Sequence, residues 1–297
     1  MSETTSAPPV AILCGGRGTR LQERTGEIPK PLVEIGGMPI LWHVVNLFAA
    51  QGFECFLLAT GYKGHLIESF VERCSWPAGV SVRCRDTGAQ TPTGGRLKQL
   101  RPMIRTERFL ATYADGLADV DLNALLRVHE AHGTLATMTV VRPELPFGIA
   151  QLEQDSDRIV GFSEKPRSEH WINGGFLCLE AKVFDRLRQD SVLEREPLQG
   201  LAAAGQLRAY RHEGFWHCMD TYKDAVALND LWRRRRAPWS LWDPGRLGSS
   251  SRPLSRPPAE DAGARGTGAP DRAPLEAAAR PRRRSESRQP PALSPRR

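Results

Sequence analysis

Gly15, Gly16 and Gly18 are interleaved with Arg17 and Arg20 directly after an apolar run, Val10-Ala11-Ile12-Leu13, and Lys30 follows between Pro29 and Pro31. No acidic residue intervenes before Glu23. Glycines let a backbone turn tightly and present its N–H groups, and neighbouring cations add charge. These residue types at this spacing suit a polyphosphate. Two common phosphate loops are excluded. Leu21 stands where a dinucleotide fingerprint has its third glycine, and no GK[ST] follows at P-loop spacing. Singly, Arg17, Arg20 or Lys30 would serve in a solvated basic loop; together, beside the glycines, they argue for a ligand.

These groups need elements to hold them. Apolar patterning predicts strands over 10–13, 54–60, 80–84, 109–113 and 135–141, and helices over 40–51, 65–74, 96–104 and 122–131. This alternation implies an α/β fold with a mostly parallel central sheet and helices on both faces. Such sheets bind ligands beyond the carboxyl ends of their strands. The glycine loop and Asp115, which follows 109–113, both fall at such ends. From Phe147 to Glu180 the pattern is shorter, strand-rich and broken by Gly, Pro and Asn, and reads as a second, smaller lobe of the same domain. Helical spacing returns over 193–204 and 222–235. After Trp242 the composition turns to Gly, Pro, Ser, Ala and Arg. Such a segment buries too little surface to offset its ordering entropy, so 243–297 is expected to be a disordered tail.

The formal charge of +7 belongs almost wholly to that tail, whose 12 arginines face 6 acidic residues. The remainder is near neutral, so no nucleic-acid partner is expected. The 6 cysteines form no CxxC pair or zinc spacing and read as free thiols. His43 lies on an apolar helix and reads as a packing residue, and His129 and His132 have no evident third metal ligand. Residues 1–9 form a polar, flexible start without a leader pattern, and no apolar run reaches membrane-span length. The expected location is cytoplasmic, with no membrane partner.

The segment GG-x-GTRL (15–21), followed by Lys30-Pro31, resembles the N-terminal motif of the sugar-1-phosphate nucleotidyltransferases. The stretch KP-x-VEIGG-x-PILWH (30–43) resembles their glucose-1-phosphate cytidylyltransferase branch, and the likeness continues to about Trp242. The resemblance implies a Rossmann-like fold over 10–242. Its nucleotide-binding half would span about 10–146 and its strand-rich sugar-phosphate half about 147–242. The implied reaction joins CTP and glucose 1-phosphate to CDP-glucose and pyrophosphate, with Mg²⁺ as cofactor. A homo-oligomer is compatible with the family.

The family pattern assigns roles residue by residue. Leu13, Gly15, Gly16, Gly18 and Thr19 would meet the nucleotide, while Arg20 and Lys30 would neutralise its phosphates. Tyr113-Ala114-Asp115-Gly116 matches the family's Gly-Asp-Gly except at Ala114, and Phe215-Trp216-His217-Cys218-Met219-Asp220 matches the segment of a second carboxylate. Asp115 and Asp220 are thus the implied metal ligands; otherwise Asp115 reads as a turn residue and Asp220 as a helix cap. In Phe162-Ser163-Glu164-Lys165-Pro166, Lys165 would grip the sugar phosphate and Glu164 the sugar hydroxyls. Asn173 and Gly174, in Trp171-Ile172-Asn173-Gly174-Gly175, would line the sugar. Thr93, Gly94 and Gly95 of TGGRLK would read the base, unless they only open a helix. Alternatives are UTP, GTP or dTTP as donor, another sugar 1-phosphate, or a non-catalytic sensor.

Overall fold

The computed structural model describes residues 7–18 and 27–242. Expectations for residues 1–6, for Thr19 and Arg20, and for the tail 243–297 lie outside the described residues.

In chain order the strands are β1 (Val10–Leu13), β2 (Glu34–Ile35), β3 (Met38–Pro39), β4 (Cys55–Thr60), β5 (Ser81–Asp86), β6 (Arg108–Tyr113), β7 (Gly116–Ala118), β8 (Ala136–Val141), β9 (Ile149–Leu152), β10 (Ile159–Ser163), β11 (Ile172–Glu180), β12 (Leu207–Arg211) and β13 (Trp216–Cys218). The α-helices are α1 (Ile40–Ala49), α2 (Gly64–Arg73), α3 (Thr93–Leu100), α4 (Leu122–His132), α5 (Glu196–Ala203) and α6 (Tyr222–Arg233).

Seven strands form one sheet in the order β12-β8-β11-β6-β1-β4-β5, and β11 alone runs antiparallel to its neighbours. The remaining pairings are parallel. The fold is therefore α/β with a mixed, mostly parallel sheet. Parallel strands are buried on both faces and read as unbroken apolar runs, as in β1, where all four residues are buried. Alternate β1 side chains enter two separate cores. Val10 and Ile12 pack with α1, α2 and α4, whereas Ala11 and Leu13 pack with α3 and α5.

Helix ends follow local chemistry. Asp121 caps α4 by accepting from the Ala124 N–H, and Gly133 ends it in a left-handed conformation at φ +60°. Helix α3 begins at Thr93 rather than Arg96 and gives way at Leu100 to a 3-10 turn over Arg101–Met103. Pro102 has no N–H with which to continue it. Helix α5 begins at Glu196 rather than Leu193, with Pro197 in its first turn. Of the strand-rich segment, the β9–β10 hairpin stands outside the main sheet while β11 lies within it. Among the described residues no helix is long and apolar enough to cross a membrane. All six thiols are unpaired.

His43 is fully buried among Trp42, Trp232, Trp239 and Trp242. Its Nε2 faces the Ile35 carbonyl at 2.8 Å. Burial lowers its pKa to about 4, against the hydrogen bond to Ile35. A folded-state pKa below the unfolded 6.5 means stability present above pH 6.5 and lost as pH falls through 4, about 3 kcal/mol in full. Urea unfolding between pH 7 and 4 should show this slope, and His43→Gln should flatten it. His129 is likewise occupied, with Nδ1 on Thr137 Oγ1 and Nε2 on Glu180 Oε1, both at 2.9 Å.

Candidate functional site

The chain runs from β1 to β4 on one side and later returns to β6 on the other, so the sheet order reverses at β1. The crevice at such a reversal is where open α/β sheets take ligands. Leu13 is in register with Tyr113, which sets the glycine loop beside Asp115. A cavity of about 360 Å³ opens there, lined by Leu13, Gly15, Gly16, Gly18, Lys30, Thr93 and Asp115 among others. A second cavity of about 280 Å³ is lined by Asn173, Gly174, Trp216, Cys218 and Asp220. Tyr113 and Asp115 line both.

The glycines of the loop serve different ends. A Cβ on Gly15 would stand 1.9 Å from the Arg96 guanidinium, while Gly16 faces open space. Gly18 has φ +61°, which favours glycine. Beneath the loop Arg96 is 4% exposed. Its Nη1 donates to the Thr60 carbonyl at 2.9 Å and to Thr87 Oγ1 at 2.7 Å; its Nη2 donates to the Gly15 carbonyl at 2.9 Å. One guanidinium thus ties together the ends of β1, β4 and β5. The role of Arg96 has no signal in the sequence, since a basic residue on an amphipathic helix ordinarily faces solvent.

Thr93 lies at the cavity wall with its hydroxyl donating to Glu194 Oε2 at 2.6 Å. Glu194 also accepts from the Tyr113 hydroxyl, and Asn173 Nδ2 reaches that hydroxyl at 3.5 Å. Burial, then Glu194, raises the Tyr113 pKa and keeps the phenol protonated. Gly94 and Gly95 are placed by packing: a Cβ would meet the Ser191 carbonyl at 2.8 Å and the Gln189 carbonyl at 2.0 Å. Both pack against the 189–191 segment and neither lines the cavity.

Lys30, on a 3-10 turn over Lys30–Leu32, donates to Asp115 Oδ2 at 2.6 Å and to Asp220 Oδ1 at 2.7 Å. Burial alone would lower its pKa, but Asp115 and Asp220 hold it above the ordinary lysine value. Thr221, not Asp220, caps α6, in a capping box with Asp224. That leaves the Asp220 carboxylate facing Lys30. Ligand atoms of Asp115, Cys218 and Asp220 lie within 4.8 Å of one another. The two carboxylates fit a hard divalent cation, which takes oxygen ligands and keeps several waters. The thiol does not: burial, then Asp115, pushes the Cys218 pKa up.

On the sugar side expected from the sequence, Asn173 and Gly174 line the second cavity. The Gly174 carbonyl accepts from Trp216 Nε1 at 2.8 Å. Glu164 and Lys165 are exposed at the end of β10, outside both linings, with Lys165 in a left-handed conformation at φ +45°. The structure thus gathers Lys30, Asp115, Asp220, Asn173, Gly174 and the loop glycines, and leaves Glu164 and Lys165 on the neighbouring arm.

A doubly wound sheet with a glycine loop at its reversal point and paired carboxylates alongside defines a nucleotide-handling α/β protein. Residues 10–232 match the nucleotidyl transferase family model, and the chain belongs to that family. It is 39% identical over 252 residues to a probable glucose-1-phosphate cytidylyltransferase of Bacillus subtilis, covering 78% of this chain and 98% of the relative. It is 40% identical over 255 residues to a glucose-1-phosphate cytidylyltransferase of Salmonella typhi, with the same coverage. A mannose-1-phosphate guanyltransferase beta-A of Xenopus laevis is 29% identical over 249 residues, covering 80% of this chain and 69% of the relative. Among solved structures, HddC of Yersinia pseudotuberculosis shares the fold at a TM-score of 0.60 and 22% identity, covering 76% of this chain and all of the other.

Proposed function

We infer that this nucleotidyltransferase joins CTP and α-D-glucose 1-phosphate to form CDP-glucose, with release of pyrophosphate. The observation that carries the reading is the pair of cavities sharing Tyr113 and Asp115. Two ligands placed in them would face each other across one carboxylate, and transfer between bound reactants is governed by such placement. The choice of cytosine and glucose is supported by the cytidylyltransferases at 39–40% identity.

A sugar-phosphate oxygen attacks the α-phosphorus; that O–P bond forms as the bond from the α-phosphorus to the bridging oxygen breaks, and pyrophosphate carries away the electron pair. No protein nucleophile is needed. The N–H groups of Gly15, Gly16 and Gly18 would bind the phosphates, with Arg20 and Lys30 offsetting their charge. Asn173 and Gly174 would orient the sugar with Glu164. Asp115 and Asp220 would hold Mg²⁺, which when bound neutralises phosphate charge. Lys165 would grip the sugar phosphate from the arm. Lys165→Ala should raise KM for glucose 1-phosphate about tenfold or more, the worth of one charged hydrogen bond, and leave KM for CTP nearly unchanged.

The test is pyrophosphate release with glucose 1-phosphate, Mg²⁺ and each nucleoside triphosphate in turn. Release with CTP well above the others is expected. Release with another nucleotide would overturn the base assignment. Failure with every nucleotide and every sugar phosphate would overturn the enzymatic reading in favour of binding alone.

A further inference from the structure

Lys30 occupies the space between Asp115 and Asp220, the two carboxylates that line the cavities among the described residues, with its ammonium within 2.7 Å of both. The Lys30 side chain is 12% exposed, so its ammonium is largely sheltered although both carboxylates also meet solvent. Asp115 and Asp220 are also the groups that would hold a divalent cation in the reading above. An ammonium already bonded to both carboxylates and a divalent ion on the same oxygens would repel strongly at such separations. The two cations are therefore alternatives at this site.

The backbone of Lys30 is pinned. It stands between two prolines, and the Val33 N–H bonds to the Lys30 carbonyl at 3.1 Å. Its flexible stem can nevertheless turn by rotamer changes alone. Lys30 lines the same cavity as Gly15, Gly16 and Gly18, so phosphate oxygens seated on that loop would lie within the ammonium's own pocket.

We propose that Lys30 is the resident cation of the Asp115–Asp220 pair in the substrate-free protein, and that it surrenders the pair to a divalent ion only when a triphosphate offers its ammonium other oxygens. The proposal rests on the reading of the site as one for metal and triphosphate. Lys30 then selects the metal–nucleotide complex over free metal. The nucleotide brings the charge that draws Lys30 away, and the metal fills the place it leaves.

The test is Mn²⁺ binding to the full chain without nucleotide, read by electron paramagnetic resonance of the free ion. Lys30→Met should bind Mn²⁺ at least about tenfold more tightly than wild type, since a positive charge has left the site. Lys30→Gln, neutral and more polar, should behave likewise, while Lys30→Arg should stay as weak as wild type. Adding Asp115→Asn to Lys30→Met should abolish the gain. Unchanged Mn²⁺ affinity in folded Lys30→Met and Lys30→Gln would overturn the proposal, as would a gain that survives Asp115→Asn. The reaction assignment fails separately. Tight Mn²⁺ binding by Lys30→Met beside an inactive wild type would sink the transferase reading and leave the cation exchange standing; the reverse pattern would do the opposite.

Discussion

Asp115→Asn should lower turnover about a thousandfold, about 4 kcal/mol of transition-state stabilisation, with the fold intact. Asp220→Asn should do the same. An amide keeps the shape of each side chain but not the charge that holds a cation against the phosphates. The fold should survive because both carboxylates are partly exposed, at 23% and 38%, and ion pairs with that much solvent contribute little stability. Steady-state pyrophosphate release and a thermal melt on each variant measure the two effects. Normal turnover in either would remove that carboxylate from the mechanism.

Arg96→Met should damage stability and nucleotide binding together. The guanidinium holds the Gly15 and Thr60 carbonyls and the Thr87 hydroxyl. Removing it takes one donor from each of these buried acceptors, although the Thr60 carbonyl keeps its bonds from Thr87 and the Gly15 carbonyl its bond from the Tyr62 N–H; the expected loss is about 2 kcal/mol. The glycine loop and the segment after β5 would also lose their common anchor, so KM for the nucleotide should rise at least about tenfold. Arg96→Lys should not restore it, because a single ammonium cannot reproduce the planar fork. Urea unfolding and the KM for CTP separate the two effects. An unaltered KM in a folded Arg96→Met protein would make Arg96 a residue of the core alone.

What could be read from the sequence divides along physical lines. Strands β1, β4 and β6 were legible because burial on both faces leaves unbroken apolar runs such as Val10–Leu13. Strand β12, Leu-Arg-Ala-Tyr-Arg, was not: it lies at the sheet edge, its residues are exposed or half-buried, and its arginines mask any alternation. Strands β7 and β13 are three residues each, too short for a period to show. Apolar spacing puts the start of α3 at Arg96, or near Gly95 in the alternative reading, rather than at Thr93, because Gly94 and Gly95 are poor helix formers, retained where the Ser191 and Gln189 carbonyls press on them. In the site, the identities of Lys30, Asp115 and Asp220 were legible from motif resemblance. Their mutual contact was not, because the partners lie 85 and 190 residues from Lys30. Arg96 was opaque for the same reason, since its burial is decided by Gly15 and Thr60.

The antiparallel strand β11 has a consequence for how the chain assembles during synthesis. Strands β1, β4, β5 and β6 can pair as soon as they emerge. Strand β8 cannot join them, because its place in the sheet lies beyond β11. A nascent chain that has reached Val141 therefore carries open edges on both β6 and β8, and open edges invite pairing with other chains. Completion of β11 at Glu180 closes the β6 edge and one edge of β8, and β12 later covers the other edge of β8. A pause in translation just before β11 should therefore lengthen the interval in which the β6 edge stays open to other chains.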